Sequence, residues 1–175
     1  THLLESSRVF SSVSFLEESE FDQKDIDQES CVDVAVLLES LDRSDDPAEL
    51  LHVVHNKLDK SGLVFITALV SSGFDISLLG LKNMYLYPPD RTNCFSLDGL
   101  QTLLDGVGFD LIEVSTPGVL DVEIVEAHLR QGVSLMLSSF EKLLMASDRE
   151  RKGALQTFLQ ENRMSSFARI VGRKR

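Results

Sequence analysis

The chain has 175 residues, 43% of them hydrophobic and 26% charged, a composition that buries one core and points to a single domain. Its longest apolar runs, residues 34–38 and 63–70, fall far short of the roughly 20 residues of a membrane-spanning helix, and no basic region followed by an apolar stretch marks a secretory signal. The net charge is −11, and the whole excess sits in residues 1–50, with 14 Asp/Glu against 3 Lys/Arg, whereas residues 51–175 carry 14 of each. That acidic face disfavours nucleic acid, so neither nucleic acid nor membrane is an expected partner. Cys31 and Cys94 have no CxxC partner and read as two ordinary buried thiols of a reducing compartment, with a disulfide as the alternative. The expected location is the cytoplasm.

Residues 1–30 form an acidic N-terminal segment in which residues 9–16 alternate loosely enough for a strand. A βαβ core is expected over 31–120. It opens with Val32–Leu38, a valine-rich run with the pattern of a strand buried on both faces. Asp46, Pro47 and Glu49 then make an N-cap, a first helical residue and a capping box, and Leu50, Leu51, Val54 and Leu58 share one stripe of the helix that follows. Lys57, Lys60 and Gly62 end it, and residues 63–69 are the second strand, parallel to the first. A long connection, 70–95, carries Gly73, Gly80, Pro88 and Pro89, and loops of that length in compact domains are usually functional. Ser96 caps a short helix closed by Gly106 and Gly108, and residues 109–114 form a third strand. A helical segment is expected over 121–165, with one helix at 122–144, striped by Val125, Leu129, Met136, Phe140 and Leu144, and another at 148–162. Residues 166–175 supply a last strand and a basic tail, and the cations from Arg149 to Arg175 read as a solvated surface or, alternatively, a polyanion site. The fold class is α/β, with a mostly parallel sheet, flanking helices, a C-terminal helical pair and a returning strand.

Several phrases match a known family. Gly73-Phe74-Asp75, Leu79-Gly80, Asn83, Pro88-Pro89, Asn93, Phe95-Ser96, Leu103-Leu104 and Gly108-Phe109 follow the second strand, and Ser115-Thr116-Pro117-Gly118-Val119-Leu120-Asp121-Val122-Glu123-Ile124-Val125 follow the third. Gln160-Glu161-Asn162 then leads through Ser165-Ser166 to the last strand. In this order the chain resembles the second half of a class I S-adenosylmethionine-dependent methyltransferase, a Rossmann-like domain, over residues 31–174. The resemblance implies S-adenosylmethionine as cofactor and a small-molecule or saccharide methyl acceptor. In open parallel sheets ligands bind beyond the carboxyl ends of the strands, so the loops leaving Leu38, Val70 and Val114 should line any site.

Departures from the family's pattern are specific. The family's cofactor contact begins with a glycine-rich turn after its first strand, and this chain has no glycine before Gly62. Gly106-x-Gly108 is a helix-ending turn, not a nucleotide loop. Where the family shows histidine, this chain has Arg43, Arg91 and Phe167, and arginine cannot take a proton near neutral pH. His52 and His55, at i, i+3, read as helix-surface or partly buried positions, with a metal pair as the alternative.

Candidate cofactor-lining residues are Leu38 and Glu39, at the end of the first strand, or else these are a plain strand terminus. Candidate acceptor-binding residues on the long loop are Asn83, Tyr85, Tyr87, Arg91 and Asn93, the alternative being core aromatics that anchor it. No catalytic or metal residue stands out. Two readings stand side by side: a methyltransferase acting on a small molecule or saccharide, and a non-catalytic methyltransferase-like interaction module that has lost cofactor binding. In the second, a partner chain, a second copy or the acidic segment would cover the sheet's open edge.

Overall fold

The computed structural model describes residue 12, residues 31–87 and residues 90–175. The strand expected at 9–16 and the Pro88-Pro89 pair lie outside the described residues. Among the described residues four strands form one sheet in the order β1-β2-β4-β3: β1 Val32–Leu38, β2 Leu58–Leu69, β3 Phe109–Ser115 and β4 Phe167–Lys174. β1 runs parallel to β2, and β4 enters between β2 and β3 antiparallel to both. Three of the four strands therefore point one way.

The α-helices of the described residues, in chain order, are α1 Pro47–Lys57, α2 Phe74–Leu79, α3 Leu97–Val107, α4 Asp121–Arg130, α5 Ser139–Met145 and α6 Arg149–Glu161, with a 3-10 turn, Gly80–Lys82, after α2. α1 starts as its sequence dictates, with the Asp46 carboxylate accepting from the Ala48 and Glu49 amides and Pro47 in the first turn. Leu50, Leu51 and Val54 bury its inner stripe. α3 is capped by the Ser96 hydroxyl and ends at Gly108 with φ +111°, a conformation a side chain would strain. Leu79, Val122, Val125, Met145 and Leu159 form a cluster among α2, α4, α5 and α6. Fully burying each such side chain is worth about 1.5–3 kcal/mol.

The structure corrects several expectations. Among the described residues β1 is an edge strand, and it is not buried on both faces: Val36 is 52% and Leu38 63% exposed. β2 begins directly after α1 at Leu58, and the long connection is not a bare loop, because it contains α2 and the 3-10 turn. The single helix expected at 122–144 is two. Gly132, at φ +77°, sends its amide to the Leu129 carbonyl while Val133 reaches the His128 carbonyl, the pair of bonds that closes a helix around a left-handed residue. Ser138 and Glu141 then open α5 with a reciprocal capping box. Met136 and Phe140, expected on an inner stripe, are exposed. The basic end is no tail: β4 lies inside the sheet, with Arg169 on Glu113, Arg175 on Asp105 and Lys174 on the Leu58 carbonyl. Cys31 and Cys94 are free and both exposed, rather than buried.

Candidate functional site: a cavity at the carboxyl edge of the sheet

β1, β2 and β3 deliver their carboxyl ends, and β4 its start, to one edge of the sheet. There the segments after β1 and β3 enclose a cavity of about 380 Å³. Its wall includes Glu39 after β1, Leu69 at the end of β2, the turn from Pro117 to Asp121 after β3, and Ser166 and Phe167 at β4. Asp75 and Ile124 add a carboxylate and an apolar face, and Tyr85 and Arg91 come from the long connection.

The floor is a polar junction built by the residues of the two matching phrases. Asp121, 1% exposed, accepts from the Ser165 hydroxyl at 2.6 Å, the Ser166 amide at 2.7 Å and Gln156 Nε2 at 2.8 Å. Gly118 and Gly73 allow the strands of chain to meet there. A Cβ at Gly118 would stand 2.2 Å from Ser165 Oγ, and one at Gly73 2.2 Å from Ser166 Cα. Each glycine is fixed by close approach, not by turn conformation.

Asp75 is fully buried in the same wall. Its Oδ2 accepts from Asn83 Nδ2 at 2.8 Å, while Oδ1 has no hydrogen-bond partner. Burial pushes this carboxyl above the usual carboxylate range, and the neighbouring Asp121 charge adds to the effect, whereas hydrogen bonding from Ser166 and Asn83 opposes it.

A second group closes the β1 side. Glu39 has φ +54°, a left-handed backbone costing about 1–3 kcal/mol in a non-glycine residue, and it is held by its amide on both the carbonyl and the hydroxyl of Thr67. Its carboxylate takes Arg43 at 3.2 Å and pairs with Arg91. Arg91 also pairs with Asp42, which is fully buried and receives the Leu69 amide at 3.4 Å. The three positions where the resemblance implies histidine therefore converge here: Arg91 and Phe167 line the cavity, and Arg43 holds Glu39.

Of the residues expected to line a site, Glu39, Tyr85 and Arg91 stand in the wall. The other four do not. Leu38 and Tyr87 are exposed outside it. Asn83 is buried as the partner of Asp75, and Asn93 ties the loop to the Ser44 carbonyl at 2.6 Å. Asp75, Asp121 and Ser166 were visible only as letters of the matching phrases, because periodicity gives no signal for a buried carboxylate. His55 packs edge-on against Phe109, and among the described residues no group of three His, Cys, Asp or Glu is spaced for a metal. No helix among them is long and apolar enough to cross a membrane.

No protein-family model and no curated protein matches the sequence. Solved structures do. A chain from the Haloferax volcanii complex of the Trm112 methyltransferase activator with a methyltransferase is 13% identical, with a TM-score of 0.51 over 88% of this chain and 58% of that one. A SAM-dependent methyltransferase from Archaeoglobus fulgidus is 15% identical, with a TM-score of 0.49 over 83% of this chain and 60% of that one. Another from Thermotoga maritima is 14% identical, with a TM-score of 0.48 over 82% and 56%. The chain thus spans under two thirds of the length of each. Its fold is that of a class I S-adenosylmethionine-dependent methyltransferase.

Proposed function

We propose that the described residues are the acceptor-binding side of a methyltransferase-like domain, with a small-molecule methyl acceptor held in the cavity at the carboxyl edge. That cavity carries the reading. It lies at the edge where open α/β sheets bind ligands, and it is apolar with a few convergent polar groups, the usual make-up of a small-molecule site.

The methyl donor that this lineage uses, S-adenosylmethionine, needs bare backbone against its ribose and amino-acid parts. The described residues do not fit it. Gly73 and Gly118, the glycines beside the cavity, have their missing side-chain space filled by Ser166 and Ser165, and the Glu39 carboxylate is bound to two arginines. No transfer step is therefore assigned to these residues. Calorimetry with S-adenosylmethionine and its demethylated product is the test of the donor. Heat and a thermal upshift at millimolar ligand are expected of a transferring domain, and silence with both ligands would refute transfer.

A second reading, a non-catalytic interaction module, is favoured by β1. Its outward Val36 and Leu38 side chains sit on an edge strand that has one neighbour among the described residues. Light scattering during gel filtration tests it: a clean monomer that retains no partner in pull-downs would count against it.

A further inference from the structure

We infer that the cavity selects a ligand carrying a cationic amine on a small apolar body, with the ammonium donating to Oδ1 of Asp75. The inference rests on reading the cavity as an acceptor site, and it narrows the acceptor class.

Three observations carry it. The first is an unmet acceptor: Asp75 is fully buried and lines the cavity, and its Oδ1, itself shut from solvent, has no hydrogen-bond partner. A buried carboxylate oxygen without a donor is costly, and a ligand N–H placed there removes that cost. The second is the local charge. Glu39 engages the guanidinium groups of both Arg91 and Arg43, with Arg91 also on Asp42 and Arg43 also on Asp90 at 3.3 Å, and among the described residues no ion pair reaches Asp75 or Asp121. The cations are thus matched on the β1 side, and the Asp75–Asp121 side has carboxyl groups with no cation of the chain beside them. A carboxylate or phosphate ligand would meet repulsion there, whereas an ammonium would be held.

The third is the shape of the rest. Leu69, Pro117, Ile124 and Phe167 offer no hydrogen-bonding side chain, so the many hydroxyls of a saccharide would lose their water without replacement. Val119 and Leu120, 65% and 48% exposed, extend the apolar surface outward from the cavity wall. At about 380 Å³ the space is at the small end of ligand sites.

The test uses the whole chain and three probes of similar size: 2-phenylethylamine, 2-phenylethanol and 3-phenylpropionate, titrated by protein-observed NMR without any methyl donor. The amine should bind about ten- to a hundredfold more tightly than the alcohol, the usual gain of a charge-assisted bond, and the carboxylate should be the weakest. Asp75→Asn keeps the shape and should erase the preference. Ile124→Trp fills the apolar wall and should weaken amine and alcohol alike, which keeps the inference testable if Asp75→Asn does not fold. Equal affinity for amine and alcohol, a preference that survives in Asp75→Asn, or no binding of any probe at millimolar concentration would overturn it. Failure here is separable from failure of the transfer reading: amine binding with calorimetric silence toward S-adenosylmethionine leaves this site and removes transfer, and the converse result removes this site alone.

Discussion

Replacing Asp121 with alanine removes the acceptor at the centre of the cavity floor. Three donors lose their partner at once: the Ser165 hydroxyl, the Ser166 amide and the Gln156 side-chain amide. Ser165 and Ser166 are buried, so water cannot replace the carboxylate at those two without opening the start of β4. Each orphaned donor costs about 1–3 kcal/mol, and disrupting one partner of a buried charged network typically costs about 3–5 kcal/mol after relaxation. The folded unit spans Cys31–Arg175, and for a chain of this size each kcal/mol moves the melting temperature by about 2–4 °C. A drop of roughly 10 °C is expected by circular dichroism. Ser165→Ala alone should cost about 1–2 kcal/mol, the loss of one bond to a charged group. The double variant separates network from sum: since both changes remove the same bond, it should be less destabilised than the two losses added, by at least about 0.5 kcal/mol. Strict additivity, or a loss below about 1 kcal/mol for Asp121→Ala, would show that the junction does not hold β4 in place.

Three further perturbations follow from the same geometry. Gly73→Ala drives a methyl into Ser166 backbone atoms, with 2.2 Å to Cα and 2.5 Å to N, and should destabilise by at least about 2 kcal/mol in urea titration. Arg91→Ala leaves Asp42 buried without its cation and should cost about 3–5 kcal/mol, whereas pairing Arg91→Leu with Asp42→Leu should recover most of that. His55, with its pKa lowered chiefly by burial against α3 and β3 and then by Lys174, refuses a proton that the unfolded chain accepts. The unfolded state therefore binds more protons as pH falls from the ordinary histidine value toward the lowered one, and stability drops over that window, about pH 6.5 downward. His55→Leu, which keeps an apolar contact with Phe109, should flatten the urea midpoint across that range.

Local chemistry is the legible part of this sequence. Asp46-Pro47, Ser96 and Gly108 each set an element boundary through bonds made within a few residues, so spacing alone finds them. The misplaced boundary at 122–144 shows the same rule from the other side. Apolar residues at 125, 129, 136, 140 and 144 suggest one long stripe, but Gly132 and the Ser138–Glu141 box are stop and start signals that outrank it. β1 failed for a different reason. Whether a valine-rich strand is central or an edge depends on what lies beside it, and that is decided by chain far away in sequence.

The cavity divides along the same line. Position at the carboxyl edge follows from parallel strand order, so strand order alone places Glu39 and the turn after β3 there. Which polar groups face inward is not legible in that way. Tyr87, Arg91 and Asn93 are equally polar loop residues, yet one is solvent-exposed, one is clamped between Glu39 and Asp42, and one pins backbone carbonyls. Arg91 finds Glu39 across 52 residues of chain, and Asn93 finds Ser44 across 49, separations that no local pattern encodes. A buried aspartate such as Asp75 is the extreme case, since its letter reads as surface and only the packing of α2 against α4 and the start of β4 turns it into the cavity's unmet acceptor. Phrases such as Gly73-Phe74-Asp75 and Pro117-Gly118 with Asp121 are then best understood as one physical unit. The glycines permit two turns to approach Ser165 and Ser166, and the carboxylates satisfy or demand the donors that this approach buries. Altering either half of that unit should disturb the other, so Gly118→Ala should displace Ser165 Oγ from Asp121 and cost about as much as removing that hydroxyl, on top of about 1–3 kcal/mol of overpacking. A Gly118→Ala protein as stable as the parent would mean that the two phrases neighbour each other without depending on each other.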